Sequence, residues 1–399
     1  MPFPLYLLAL AVFAMGTSEF MLAGLLPDIA AGLGVPVGAA GLLTTAFAAG
    51  LAVGAPVMAV LTRRRPPRTV LLGSLLVFAA AHAVGALTAD FGVLLVTRAV
   101  AALADAGFLA VALTTAAALV EPDRKGRALA VLLSGTTLAT VVGVPGGAVL
   151  GALLGWRATF WAVALLCVPA ALGVLRGLPP LAPAPAAPLG SELAQLRGPR
   201  LLFVMLLAAL VNAATFASFT FLAPVVTGPA GLGALWVPVT LVLFGLGSLV
   251  GVTVAGRFAD RRPGRVLAVG GPLLLVGWPA LALLSSRPSV VLALTFVLGA
   301  LSFGVGSTLI TRVLYAAEAA PTLAGAYATA SLNVGAATGP FLAAAALGTG
   351  AGELGPFWVS GALVAAALAL APAWRTGFRA AGPSPAAGTS RRAVPDPGR

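Results

Sequence analysis

The sequence predicts an all-α membrane protein of twelve transmembrane helices, arranged as two pseudo-symmetric six-helix bundles. Three observations carry this: few charges in an apolar chain, arginines confined to one side, and an internal repeat of constant offset. Of the 399 residues, 60% are hydrophobic and 9% charged, and the mean hydropathy is +1.06. Soluble domains carry about 25% charged residues, so most of this chain must face lipid. A spanning helix needs roughly 20 mainly apolar residues, and twelve fit this length only with short loops, as found here. The 49 glycines and 31 prolines suit bilayer helices, where small residues let backbones approach and proline breaks are tolerated.

Hydropathy and turn signals place the first six helices near 5–26, 38–61, 69–88, 92–120, 127–154 and 158–175. The second six lie near 201–226, 234–255, 265–284, 290–316, 323–347 and 357–373. The predicted organisation is therefore a bundle over 1–175, a linker over 176–200, a second bundle over 201–375 and a tail over 376–399. The linker is rich in Pro and Ala, carries Glu192, Arg197 and Arg200, and has room for a short interfacial helix. The tail, rich in Pro, Gly, Ser and Arg, is predicted to be disordered.

A net charge of +12 would suit a nucleic-acid partner if it lay on one solvated face. Instead, 20 of the 23 basic residues fall in loops or termini on one side of the predicted spans. Arg157 and Arg287 lie on the other side, and Arg98 lies inside a span. This is the positive-inside pattern, which makes both termini cytoplasmic and excludes nucleic acid as the partner. Cys167 and His82 are the only cysteine and histidine, so an intrachain disulfide is impossible and metal-ligand spacings are absent. The first 20 residues lack a basic leader and contain Glu19, which favours a retained span over a cleaved signal peptide. Lys125 is the only lysine and lies in no phosphate-binding loop, so the chain carries no nucleotide-binding signature and any energy it uses would come from an ion gradient. No cofactor is expected.

The repeat offset is 197 positions. It joins Pro27 to Pro224, Gly50 to Gly247, Gly54 to Gly251, Arg65 to Arg262 and Arg68 to Arg265. It also joins Phe160 and Trp161 to Phe357 and Trp358. Parallel six-helix repeats of this kind characterise the major facilitator superfamily, whose substrate site lies between the halves near midplane.

Short motifs extend the resemblance along nearly the whole chain. The stretch from Gly256 through Asp260, Arg261 and Arg262 to Gly264 and Arg265 resembles that superfamily's G-x-x-x-D-R-x-G-R loop with one extra residue. The resemblance implies a cytoplasmic gate at Asp260, Arg261 and Arg265, with Arg68 in the first-half copy, which keeps its arginines but has no Asp. In the fifth helix, Gly135 is followed by Gly143, Val144, Pro145, Gly146, Gly147 and then Gly151. This resembles the antiporter motif of proton-coupled drug exporters, where glycines flatten a helix face for close packing. Residues 16–27, Gly-Thr-Ser-Glu-Phe-Met-Leu-Ala-Gly-Leu-Leu-Pro, resemble the opening of drug:proton antiporters, most like the chloramphenicol-resistance exporters of high-G+C bacteria. The resemblance implies the bacterial inner membrane and a monomer.

Ionisable groups are expensive inside a bilayer and mark function by default. Three lie well inside spans: Glu19, Arg98 and Asp105. Glu19 and Arg98 sit at matching depth, about 10–12 Å below the outer surface, and Asp105 lies two turns deeper, at about 1.5 Å per residue. Glu19 is expected to accept the proton, Arg98 to tune it, and Asp105 to offer a second site. His82 is expected to be a packed, hydrogen-bonded histidine. Phe216, which the repeat aligns with Glu19, is the candidate aromatic contact for substrate, with Asn212 and Asn333 as candidate polar contacts. Arg98 and Asp105 align with the uncharged Thr295 and Ser302, so proton chemistry is assigned to the first half and a neutral aromatic wall to the second.

The predicted function is proton-coupled efflux of a small amphipathic antibiotic, chloramphenicol being the expected one, by alternating access. Export of a sugar, nucleoside or other metabolite is the alternative. A membrane-embedded enzyme finds little support, because no nucleophile–histidine constellation is present.

Overall fold

The computed structural model describes residues 2–121, 125–179, 189–259, 263–320 and 323–377, and all regular structure among them is helical. Among the described residues, twelve helices are long and apolar enough to span a membrane. In the first half they are α1 Phe3–Gly24, α2 Val37–Thr62, α3 Pro67–Leu87, α4 Phe91–Ala116, α5 Val131–Leu154 and α6 Trp156–Gly177. In the second half they are α7 Pro199–Thr220, α8 Trp236–Ala255, α9 Gly264–Leu283, α10 Pro288–Ala316, α11 Ala324–Leu347 and α12 Gly352–Leu370.

The spans that bear on function are broken rather than straight. α1 is α-helical over Phe3–Phe20 and tightens to a 3-10 turn over Met21–Gly24, after which a separate helix runs Leu26–Leu33. Pro27 sits in the first turn of that helix, where its missing N–H is harmless. α7 ends in the corresponding way: the chain turns at Phe221 and restarts as a helix over Leu222–Thr227. α5 contains a π-helical turn over Ala139–Gly143, with the Val144 N–H bonded to the Ala139 carbonyl. Pro145, which has no N–H, lies just beyond it, and π-turns commonly occur where the helical ladder is interrupted.

Glycines decide which helices touch. A Cβ on Gly135 would meet the Ala9 carbonyl, one on Gly143 the Thr17 side chain, and one on Gly151 the Leu25 side chain. The partners on both helices advance by eight residues, so α1 and α5 run parallel with a glycine at every second turn of contact. Gly147 faces Thr159 of α6, 3.1 Å from where its Cβ would lie, whereas Gly146 faces open space. The repeat pairs also act alike. Gly50 and Gly54 admit α4 against α2, and Gly247 and Gly251 admit α10 against α8, in each case at backbone contact or close to it.

Two buried apolar clusters result, one drawn mainly from each half, and each takes residues from the other. The first includes Phe221 and Ala343, and the second includes Phe20, Val144 and Ala148. The halves meet where α2 packs on α11 and α5 on α8. Thr45 Oγ1 donates to the Ala337 carbonyl at 3.1 Å, and Gly245 brings α8 onto the π-turn, 2.7 Å from its would-be Cβ to the Thr140 carbonyl.

The linker helix forms over Leu189–Ala194 and is docked rather than lying free at an interface. Glu192, 1% exposed, accepts from the Leu323 N–H at 2.8 Å through Oε2, and its backbone carbonyl accepts from the Tyr327 hydroxyl at 2.8 Å. The same Leu323 N–H also reaches the Ala320 carbonyl at 3.1 Å, and a carboxylate at a helix start complements the helix dipole. Residues 180–188 of the linker, the tail from 378, and the gate residues Asp260 and Arg261 lie outside the described residues.

Candidate functional site

The buried charges and the substrate candidates occupy two neighbouring places joined by three consecutive residues, Ser18, Glu19 and Phe20. These are the last residues of α1 before it tightens.

The first place is a polar knot inside the first half. Arg98, 1% exposed, donates from Nη1 to Ser18 Oγ at 2.7 Å and from Nη2 to the Ser18 carbonyl at 2.8 Å. Its guanidinium carbon lies 4.2 Å from the centroid of the Phe47 ring of α2, a cation–π contact. Its Nε has no hydrogen-bond partner among the described residues. Ser18 Oγ is also 2.7 Å from His82 Nε2, and His82 Nδ1 is 2.8 Å from the Phe78 carbonyl. His82 is held between the rings of Phe78 and Phe160, so the packed, hydrogen-bonded histidine expected from the sequence is what forms.

Around the knot, Glu19 is partly exposed and within electrostatic reach of Arg98. The predicted Glu19–Arg98 partnership is thus one of charge, while the hydrogen bonds of Arg98 go to Ser18. Asp105, 2% exposed, is also within reach of Arg98, yet its Oδ1 has no hydrogen-bond partner among the described residues. A buried orphan acceptor typically costs about 1–3 kcal/mol, and more when charged.

The second place is a narrow cleft lined from both halves. Its walls are Phe20 of α1, Thr140 and Val144 of α5, Thr215, Phe216 and Phe219 of α7, and Phe244 and Ser248 of α8, with Phe303 of α10. The rings form a continuous series. Phe20 lies 5.7 Å from Phe216 and 6.3 Å from Phe219, Phe219 lies 4.7 Å from Phe244, and Phe244 lies 6.0 Å from Phe303. The polar groups of the wall are hydroxyls whose protons go to their own helices. Thr140 donates to Thr137 at 2.9 Å, Thr215 to Val211 at 3.0 Å, and Ser248 to Gly245 at 2.7 Å. To a guest they offer lone pairs.

Phe216 is therefore at the cleft, and the asparagines are not among its lining residues. The Asn212 amide donates to the Leu332 carbonyl of α11 at 2.7 Å, and the Asn333 amide donates to Thr329 one turn back at 3.0 Å. Each donor answers a backbone carbonyl, the usual role of such groups in bilayer helices. Of the antiporter-motif residues, Gly143, Pro145 and Gly147 are buried, and Gly146 is exposed. Of the gate residues, Arg68 donates to the Leu175 carbonyl near the end of α6, a bond within one half, and Arg265 is exposed at the start of α9.

Sequence reasoning passed over Ser18, Phe20, Phe244 and Phe303. Ser18 stands beside Glu19, but a hydroxyl in a spanning helix usually bonds its own backbone. The phenylalanines carried no signal beyond hydrophobicity until helix rotation placed them together.

Twelve spans around a cleft between two related halves, with charges buried beside it, have the construction of a membrane transporter. The chain matches the family model of the Major Facilitator Superfamily over residues 8–340 and belongs to that superfamily; it is a transporter and not an enzyme. Over 358 residues it is 70% identical to a chloramphenicol resistance protein of Streptomyces lividans, covering 89% of this chain and 91% of that one. It is 32% identical to the inner membrane transport protein YdhP of Escherichia coli K12, covering 88% of this chain and 90% of that one. In fold it is similar to the human organic anion transporter MFSD10, with a TM-score of 0.63 at 22% identity, covering 92% of this chain and 97% of that one. It is also similar in fold to a bacterial homologue of the lysosomal transporter Spinster, with a TM-score of 0.69 at 18% identity, covering 92% and 94%.

Proposed function

We propose that this transporter exports chloramphenicol or a closely related neutral aryl antibiotic in exchange for protons, by alternating access. The observation that carries the reading is the run Ser18-Glu19-Phe20, which joins the charge knot to the aromatic cleft. A guest seated against Phe20 bears on the backbone that holds Glu19 and Arg98, so substrate occupancy and proton occupancy would be felt at one point. In this reading Phe216 and its neighbouring rings stack the aryl group, Glu19 carries the proton, Arg98 tunes it and Asp105 is a second proton site.

The cleft supports an aryl guest over a sugar or nucleoside. Its polar groups are hydroxyl acceptors, and a polyol stripped of water would require many more partners than these. Chloramphenicol brings an aromatic ring together with hydroxyl and amide donors, and the 70% identical relative bears its name. The proposal places the protein in a bacterial inner membrane as a monomer. Both termini and the 176–200 linker are cytoplasmic, the bundles are 1–175 and 201–375, and Arg68, Asp260, Arg261 and Arg265 belong to the cytoplasmic gate.

Purified protein in liposomes tests this directly. An imposed pH gradient should drive accumulation of labelled chloramphenicol but not of labelled uridine or arabinose. Chloramphenicol flux indifferent to the gradient would remove the antiport reading.

A further inference from the structure

The hydrogen bonds around Ser18 can be assigned in only one direction. Arg98 Nη1 has no lone pair, so Ser18 Oγ accepts from it at 2.7 Å. The Phe78 carbonyl has no proton, so His82 Nδ1 is the donor across 2.8 Å. A second proton on the ring would set two cations against one serine oxygen. His82 Nε2 is therefore bare and accepts the Ser18 hydroxyl at 2.7 Å. Donation runs from Arg98 through Ser18 and His82 to Phe78, tying α4, α1 and α3 in a buried line.

The structure assigns His82 the part of a positioning residue in proton coupling: as fixed acceptor for Ser18, it holds the Arg98 guanidinium on Ser18 and away from the Glu19 carboxylate. This rests on Glu19 being the proton carrier. The charged and titratable groups around the knot are Glu19 of α1, Arg98 and Asp105 of α4, and Cys167 of α6; α2 presents the uncharged ring of Phe47. With His82 gone, the Ser18 hydroxyl turns to its own helix, as serines in helices do, and Arg98, left with the Ser18 carbonyl as its one anchor through Nη2, can swing its Nη1 edge toward Glu19.

His82 is the only histidine, so the full chain labelled with 15N-histidine yields a single imidazole. The expected spectrum is the neutral Nδ1-protonated tautomer from about pH 6 to 8, with the Nε2 resonance moved in Ser18→Ala. His82→Phe keeps an aromatic ring between Phe78 and Phe160. It should move the pH midpoint of chloramphenicol transport toward acid by about one unit, with substrate affinity unchanged as the check on folding. Ser18→Ala should reproduce that shift, the double variant should add nothing to it, and His82→Gln, which restores an acceptor, should reverse it. A charged or Nε2-protonated ring overturns the assignment. An unmoved profile in His82→Phe, with Glu19→Gln uncoupled, overturns the positioning role alone. Coupling retained in Glu19→Gln overturns the reading beneath it.

Discussion

Arg98 and Ser18, 80 positions apart, are joined twice: Nη1 reaches the serine hydroxyl at 2.7 Å and Nη2 reaches its carbonyl at 2.8 Å. The carbonyl lies in the last α-helical turn before α1 tightens to a 3-10 turn, where the backbone ladder changes spacing and an outside donor is accommodated. The arginine thus braces the break in α1 that carries Glu19 and Phe20.

Lysine cannot make that fork, because it is a point charge rather than a planar pair of donors. Arg98→Lys is expected to lose one of the two bonds, worth about 1.5–3 kcal/mol for a charged donor. A lowered unfolding midpoint in detergent and at least a tenfold loss of transport are the expected readings.

Neutralising Glu19 separates coupling from binding. Glu19→Gln keeps shape and hydrogen bonding but cannot release a proton. Chloramphenicol should still exchange across liposomes at equal pH, while accumulation under a pH gradient disappears.

The Phe216 ring lies tilted 5.7 Å from Phe20 and edge-on 6.2 Å from Phe219. Removing its ring in Phe216→Ala should weaken chloramphenicol binding by about 1 kcal/mol, roughly fivefold in Kd. Tryptophan-fluorescence titration measures it, with Asn333→Ala, which lies outside the cleft lining, expected to bind as the parent does.

The antiporter motif contains its own control. A Cβ at Gly143 runs into Thr17, whereas one at Gly146 meets nothing. Gly143→Ala should cost about 1–3 kcal/mol of packing and lower the yield of monodisperse protein, while Gly146→Ala should behave as wild type in size-exclusion profiles.

At the linker, Glu192→Ala removes the shorter of two acceptors of the Leu323 N–H and leaves it the Ala320 carbonyl at 3.1 Å, which should cost about 0.5–1 kcal/mol, the lower range for a helix cap. Faster limited proteolysis between the halves is the expected sign, and Glu192→Gln should restore most of the protection.

The twelve spans were legible because membrane insertion depends on apolar content summed over some 20 consecutive residues, a local quantity. The repeat was legible for a related reason. Gly50 and Gly247, or Gly54 and Gly251, recur at one offset because each pair performs the same backbone contact in its half. Intramembrane Glu19, Arg98 and Asp105 stood out by their cost alone. The partners of Arg98 were not legible. Glu19 carries the opposite charge, yet Ser18, one residue earlier and about 100° round the helix, takes both hydrogen bonds. Asn212 and Asn333 were equally ambiguous, since an amide in a span serves a substrate or a neighbouring carbonyl with the same chemistry.

By itself the sequence determined how many times the chain crosses the bilayer, that it does so as two related halves, and which residues are costly enough to matter. Only the tertiary structure decided that Arg98 rests on Ser18, that His82 completes the line, and that Phe20 joins Phe216, Phe219, Phe244 and Phe303 around one cleft. The reason is rotational. Hydropathy specifies that a segment is helical and buried in lipid, but its azimuth is set by glycine contacts such as Gly143 with Thr17 and Gly245 with Thr140. Those contacts link helices more than 100 residues apart.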